Sequence, residues 1–75
     1  MKNEILSLLS EAFPHIDFTQ SNEMVDEGIL DSLTLVEMLS CLSMEFDIVI
    51  PYDEIVPENF NSIDSITELV EKMKK

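Results

Sequence analysis

The stretch Gly28–Leu33, with the sequence GILDSL, stands directly before a strongly helical run and decides how the chain is interpreted. It places Ser32 in the first turn of a predicted helix, after a glycine turn. Asp31 is a good N-terminal cap, and its charge suits the positive end of the helix dipole. No residue of the sequence is evidently placed to act as a base for Ser32. The serine is therefore expected to be an attachment point rather than a nucleophile.

Apolar spacing predicts another helix near the N-terminus. Its one-face stripe consists of Ile5, Leu8, Leu9 and Ala12. Pro14 ends this helix, because the residue before a proline avoids the helical conformation. The connection that follows, residues 14–31, is long for so small a domain, and such loops are usually functional or disordered. Its apolar residues argue against disorder and are expected to pin it across the bundle: Ile16, Phe18, Met24, Val25, Ile29 and Leu30.

The helix that follows GILDSL is expected to run from about Ser32 to Phe46 and to have two different faces. Its core stripe is expected to be Leu35, Leu39, Leu42 and Phe46, with Met38 beside it. Leu33 and Val36 lie on a different side, joined by the small Ser40. These two apolar residues, off the core stripe and near acidic residues, are candidates for contact with a partner protein.

The last third of the chain predicts a linker and two further helices. The linker is expected to be extended and to bury Ile48 or Ile50, because a single strand without a partner is unstable. Pro57 suits the first turn of a short helix over residues 57–61, and Ser62 can cap the last helix. The buried stripe of that helix is Ile63, Ile66, Leu69, Val70 and Met73, and the lysines that suit its negative end are Lys72, Lys74 and Lys75. The predicted fold class is all-α: a small four-helix bundle of three longer helices and one short helix, with a long loop between the first two.

The net charge of −12 is the second strong feature of the chain. Sixteen acidic residues face four lysines, which lie near the two ends, at Lys2 and within residues 72–75. Nucleic acid and anionic membranes are disfavoured as partners, because both require a positive protein surface. A basic protein surface is the expected partner, although net charge also keeps small domains soluble.

Length and composition predict one domain, residues 1–75, with a thin core. An apolar content of 45% argues against disorder. The single cysteine, Cys41, excludes an internal disulfide and fits either a reducing compartment or no particular redox environment. There is no signal-peptide pattern, and no apolar run approaches the ~20 residues needed to span a bilayer. We expect a cytoplasmic monomer without membrane insertion.

Patterns for catalysis and metal binding are missing from the residue inventory. One cysteine and one histidine cannot build a zinc site, and one glycine cannot build a glycine-rich phosphate loop. The calcium-loop pattern is also absent. We therefore expect no catalytic residue and no intrinsic metal site. We expect the core to include Met38, Cys41, Met44 and Met73. We expect His15 to be a surface loop residue and Asp53-Glu54 to be solvated surface.

With these features together, the chain resembles the acyl carrier and peptidyl (aminoacyl) carrier protein superfamily of phosphopantetheine-binding domains. A lone Asp-Ser-Leu tripeptide is weak evidence. The glycine before it, the acidic amphipathic helix after it, and the Glu-Phe and Ile-Pro pairs beyond make the pattern specific, and it covers essentially the whole chain. The matching segments are Glu23–Leu33, Val36–Leu39, Leu42, Glu45-Phe46, Ile50-Pro51 and Ser62-Ile63 with the final apolar stripe.

The resemblance implies that Ser32 carries 4′-phosphopantetheine, whose thiol holds an acyl or aminoacyl group as a thioester. It also implies that Asp31 is associated with magnesium during transfer from coenzyme A, and that Gly28 permits the turn. The residues implied at the cofactor are Gly28, Asp31, Ser32 and Leu33, and those implied at partner enzymes are Leu33, Val36, Glu37 and Ser40. The implied partners are a phosphopantetheinyl transferase, an acyl- or aminoacyl-loading ligase, and acyl-transferring or condensing enzymes.

The chain departs from the pattern of fatty-acid carriers at two places. These are Ile29-Leu30 and the serines and cysteine of the second helix. The chain looks more like discrete carriers of the peptide-synthetase or D-alanyl type, or a specialised acyl carrier. We expect a free-standing carrier that is not an enzyme. The cargo, the loading enzyme and the pathway stay open, as does excision from a larger synthase. Two alternatives from other classes also remain: an acidic helical adaptor without a prosthetic group, and a minimal enzyme that uses Ser32 or Cys41.

Overall fold

The computed structural model describes residues 1–74, and within them every regular element is helical. A short 3₁₀ helix at Tyr52–Glu54, which was not predicted, precedes the third α-helix. The α-helices are α1 Lys2–Ala12, α2 Ser32–Phe46, α3 Pro57–Phe60 and α4 Ile63–Met73. The prediction of three longer helices, one short helix and a long first loop is confirmed. In this described part of the chain, no helix has both the length and the apolar character needed to cross a membrane.

Local sequence signals set the ends of the helices. The side chain of Asp31 caps α2 by accepting a hydrogen bond from the backbone N–H of Thr34 at 2.8 Å. Ser62 caps α4 in the same way, from the N–H of Ser65 at 3.1 Å. Pro57 opens α3, where the missing N–H has no intrahelical partner to lose. These capping predictions are confirmed.

The core is filled by α-helical faces and by the loop between α1 and α2. Helix α4 packs against both α1 and α3, and α1 also contacts α2. The loop buries Phe18, Met24 and Leu30, so it crosses the bundle as predicted, and Ile48 is the buried residue of the later linker. The buried apolar residues are Ile5, Leu9, Phe13, Phe18, Met24, Leu30, Met38, Leu42, Ile48, Phe60, Ile63, Ile66, Leu69 and Val70.

Two predicted core residues, Ala12 and Met44, are exposed, while the other residues of the predicted α1 and α2 stripes are buried or pack against the core. In α1 the buried positions follow a spacing of four and continue to Phe13, which leaves Ala12 exposed. In α2 the buried centre is Met38 and Leu42, while Leu35, Leu39, Cys41 and Phe46 are only partly buried beside it. Met44 is 84% exposed, because it lies about three turns beyond Leu33 on the outer face of the helix.

The lysines of the described residues contact acidic or aromatic groups in other elements. Lys2 pairs with Asp64 at 2.7 Å, which joins α1 to the start of α4. Lys72 pairs with Glu54 of the 3₁₀ helix, and Lys74 lies 5.6 Å from the ring centre of Phe46. The prediction that Glu54 is solvated surface was wrong, since this residue is partly buried. Lys75 lies outside the described residues.

Candidate attachment site

Ser32 is the first residue of α2 and is exposed to solvent. The chain enters the helix through Asp31, whose extended backbone (φ −85°, ψ 177°) turns the main chain into the first turn. The carbonyl of Asp31 accepts the N–H of Leu35 at 2.9 Å. No side-chain hydrogen bond of Ser32 is present within residues 1–74. Its hydroxyl is therefore accessible to another molecule.

The start of α2 is electrostatically suited to an anion, although the protein as a whole is acidic. The first N–H groups of a helix lack intrahelical partners and form its positive end. The pKa of Asp31 is lowered from its ordinary value of 3.8. The main cause is the hydrogen bond from the backbone N–H of Thr34, and the side chain of Thr34 is the second cause. Asp31 is ionised at neutral pH, and only its Oδ1 is used by the cap, so its second oxygen can still meet a cation.

Gly28 forms the turn four residues before Ser32, as the sequence predicts. Its φ of +81° lies in the left-handed region, which glycine adopts at no steric cost. A Cβ built at this position would meet no atom within 4 Å. Glycine is therefore required here by the backbone conformation and not by a lack of space.

The segment that connects Gly28 to Ser32 folds back on the carbonyl of Met24. This oxygen accepts hydrogen bonds from the N–H groups of both Ile29 (2.9 Å) and Leu30 (3.1 Å). Leu30 is buried, with 2% of its surface exposed. We refer to residues 24–31 as the attachment loop. Its backbone bonds and buried leucine determine where α2 begins.

Asn61 is a site residue that the sequence interpretation missed. It follows α3, and its Oδ1 accepts hydrogen bonds from the N–H groups of Val25 (2.8 Å) and Asp26 (3.1 Å). Its Nδ2 donates to Oδ2 of Asp26 at 3.0 Å, and its carbonyl accepts the N–H of Met24 at 2.9 Å. The sequence offers only an asparagine at a helix end, a position where this residue often bonds backbone groups. Its partners, 35 and 36 residues away along the chain, leave no local pattern.

The residues predicted to meet partner enzymes share the outer side of α2. Leu33 is 69% exposed and Val36 is 59% exposed, and Glu37 and Ser40 are exposed beside them. Met44 extends this side towards the end of the helix. We call these five residues the outer face of α2. Its apolar side chains next to a carboxylate form a surface suited to contact with another protein.

The other candidates from the sequence lie outside this arrangement. His15 is exposed and packs edge-on against Phe13 at the end of α1, with ring centres 6.4 Å apart. Cys41 is partly buried against the core. Two surface depressions lie along α4 instead of at Ser32, one beside Met1 and the other beside Glu54. Among the described residues, no group of three or more histidine, cysteine or acidic side chains is arranged to hold a metal ion.

Comparison with curated proteins gives relatives that cover nearly the whole chain. The D-alanyl carrier protein of Lactobacillus delbrueckii subsp. bulgaricus is 33% identical over 76 residues, which cover 99% of this chain and 94% of the relative. The chain belongs to the carrier protein family. The aminoacyl carrier protein 2 of Bradyrhizobium diazoefficiens is 30% identical over 93% of this carrier and 82% of the relative. The D-alanyl carrier protein of Streptococcus mutans is 28% identical over 75 residues, which cover 99% of this chain and 95% of the relative.

The family membership agrees with a role that is not catalytic, because the relatives are carriers and not enzymes. It also confirms the predicted resemblance to carriers along the full length of the chain. No family model matches the chain, and no solved structure matches it.

Proposed function

We propose that Ser32 is the attachment point of 4′-phosphopantetheine and that this carrier, with residues 1–75 as one domain, holds an acyl or aminoacyl group on that arm. One observation carries the proposal: Ser32 is an exposed first residue of α2 in a chain whose relatives are named carriers. An exposed hydroxyl at a helix start is accessible to a modifying enzyme, and changing it does not disturb the core.

The groups around Ser32 fit a phosphodiester. The N-terminal turn of α2 supplies N–H donors and the positive end of a helix dipole, both of which favour an anion. In the proposed transfer, Ser32 Oγ forms a bond to phosphorus, and the bond that joins this phosphorus to the nucleotide part of coenzyme A breaks. The hydroxyl proton passes to a base of the transferase, and the second carboxylate oxygen of Asp31 would be a ligand for a magnesium ion during this transfer. When bound, the group supplies a terminal thiol on which the cargo is held as a thioester.

We favour an amino acid as the cargo. The relatives are named D-alanyl carrier proteins and aminoacyl carrier proteins, and Ile29-Leu30 and the serines of α2 depart from the pattern of fatty-acid carriers. The proposed loading partner is therefore a ligase that activates an amino acid. Release of the cargo by neutral hydroxylamine, followed by identification of the hydroxamate, tests this choice. A fatty acyl hydroxamate would contradict it.

The outer face of α2 is the proposed docking surface for these enzymes. Leu33 and Val36 offer apolar contact next to the attachment point, and Glu37 lies beside them. The net charge of −12 attracts a basic partner surface and speeds encounter. The apolar pair then contributes to the stability of the complex.

Intact-mass measurement tests the attachment. The chain is incubated with coenzyme A, magnesium and a broad-specificity phosphopantetheinyl transferase. We expect the unchanged chain and the control variant Ser10→Ala, which removes an exposed serine of α1, to gain one phosphopantetheine. Ser32→Ala should remain folded, as checked by circular dichroism, and gain nothing. Modification of Ser32→Ala would show that the attachment site is another residue. An unmodified wild-type chain would favour an adaptor without a prosthetic group.

A further inference from the structure

We propose that Asn61 is a positioning residue for Ser32: it fixes the attachment loop so that the serine is presented in one orientation to the modifying enzyme. This inference rests on the proposed attachment at Ser32. Asn61 does not need to touch the reacting atoms. It acts through the backbone of the loop, and it lies on a different part of the chain from α2.

Four hydrogen bonds from the attachment loop converge on Asn61. Asn61 accepts two backbone N–H groups on its Oδ1, from Val25 and Asp26, and donates its Nδ2 to the carboxylate of Asp26. Its own carbonyl accepts the N–H of Met24. Three successive loop residues are therefore bonded to one asparagine. These are long-range contacts from the end of α3 to the attachment loop.

The loop residues bonded to Asn61 are in turn bonded to the segment that precedes Ser32. The N–H of Met24 is bonded to Asn61, and the carbonyl of the same residue accepts the N–H groups of Ile29 and Leu30. Leu30 is buried next to Asp31, the cap of α2. Backbone hydrogen bonds thus connect Asn61, through Met24, to Leu30, which lies two residues before Ser32. If the turn at Met24 loosens, the start of α2 loses its fixed direction.

The side-chain amide of asparagine suits this position because it both accepts and donates hydrogen bonds. The site requires an acceptor for two N–H groups and a donor for a carboxylate, and a primary amide provides both. Alanine would leave the N–H groups of Val25 and Asp26 without this partner. Aspartate would keep the acceptor but place a second carboxylate 3.0 Å from Oδ2 of Asp26, where like charges repel.

Asn59 provides a matched control. It lies in α3, two residues before Asn61, and both residues are partly buried. Its Nδ2 donates to the carbonyl of Glu54 at 2.7 Å and to the carboxylate of the same residue at 3.1 Å. These bonds hold the 3₁₀ helix and do not involve the attachment loop. A general loss of stability should affect both asparagine variants, whereas loss of positioning should affect only Asn61→Ala.

The experiment compares wild type, Asn61→Ala and Asn59→Ala in two measurements at a temperature where all three are folded. The first is kcat/KM for phosphopantetheine transfer by a broad-specificity transferase, and the second is hydrogen exchange of the amides of Ile29 and Leu30. We expect Asn61→Ala to lower kcat/KM and to speed exchange at both amides, each by about tenfold, the effect of losing roughly 1.4 kcal/mol of hydrogen bonding. Asn59→Ala should change neither by more than about twofold.

If Asn61→Ala is too unstable to measure, two variants that exchange the amide and the carboxylate between positions 61 and 26 provide the test. Asn61→Asp should impair transfer, and the double variant Asn61→Asp with Asp26→Asn should restore it, because the donor and acceptor are exchanged across the same contact. Equal transfer and exchange in all variants would overturn the positioning role while leaving attachment at Ser32 intact. Failure of the wild-type chain to be modified would overturn the attachment and, with it, the role of Asn61.

Discussion

At the scale of single residues, the position of Ser32 depends on neighbours with different tasks. Gly28 supplies a backbone conformation with positive φ, Leu30 anchors the chain in the core, and Asp31 begins the helix. Ser32 itself is exposed, and its side chain makes no hydrogen bond within residues 1–74. Its substitution should therefore cost function without stability, whereas substitution of the neighbours should cost both.

Replacement of Asp31 should have a pH-dependent effect on stability. Its pKa is lowered mainly by the N–H of Thr34, and a carboxylate with a lowered pKa stabilises the fold above its unfolded-state pKa and loses this effect as pH falls. Asp31→Ala should therefore lower Tm at pH 7, and the difference from wild type should shrink as the pH falls through and below 3.8. Asp31→Asn, which retains a capping oxygen, serves as the control and should change Tm little. A difference between Asp31→Ala and wild type that grows on acidification would contradict this role of the carboxylate.

Substitution of Gly28 should lower stability through backbone strain and not through a steric clash. Since a Cβ at this position meets no atom within 4 Å, Gly28→Ala should lower the free energy of unfolding by about 1 kcal/mol, the cost of a left-handed conformation for an L-residue. Gly28→Asn should cost less, because asparagine tolerates this conformation. Urea denaturation of the two variants measures the difference. Equal stability of Gly28→Ala and wild type would show that the loop can take another conformation.

At the scale of helices, local signals predicted the elements but not all of their contacts. The limits of α2, its Asp31 cap and the turn at Gly28 follow from neighbouring residues and were predicted correctly. The exposure of Met44 was missed, because hydrophobicity alone does not fix the direction of a helical face. Asn61 was missed for a different reason: its bonds to residues 25 and 26 depend on how α3 packs, and sequence spacing does not show this.

The outer face of α2 should control recognition by enzymes. Glu37→Lys should lower kcat/KM for transfer or loading by roughly tenfold at low salt and less at high salt, because screening weakens steering by charge. The control Glu71→Lys makes the same charge change at an exposed position of α4 and should have little effect. Val36→Asp should lower the rate at any salt concentration, since it removes apolar contact. Unchanged rates for Glu37→Lys and Val36→Asp would exclude this face as the docking surface.

At the scale of the whole molecule, a thin core opposes a large charge. The Cα positions extend over 29 × 24 × 20 Å, and this volume carries a net charge of −12. Ion pairs from Lys2 and Lys72 neutralise only local positions at Asp64 and Glu54, and pairs made by largely exposed lysines contribute little to stability. The remaining carboxylates repel one another and lower the stability of the compact state.

Salt should therefore stabilise this carrier. The Debye length is about 30 Å at 0.01 M salt and about 10 Å at 0.1 M, so charges across the whole molecule repel at the lower concentration and only neighbours do at the higher one. We expect sodium chloride over this range to raise Tm at pH 7 by about 5 °C, equivalent to ~1 kcal/mol for a domain of this size. The same salt step near the isoelectric point of about 4.1 is the control and should have little effect. A Tm at pH 7 that does not change with salt would show that repulsion is unimportant.

The assignment of Ser32 can be tested on the protein as its own cells produce it. The chain is purified without denaturation, its intact mass is measured, and fragmentation locates any modification along the sequence. We expect one phosphopantetheine on Ser32, and in a fraction of the molecules an amino acid that neutral hydroxylamine removes. A chain that carries no modification, or one modified at a residue other than Ser32, would contradict the proposed attachment.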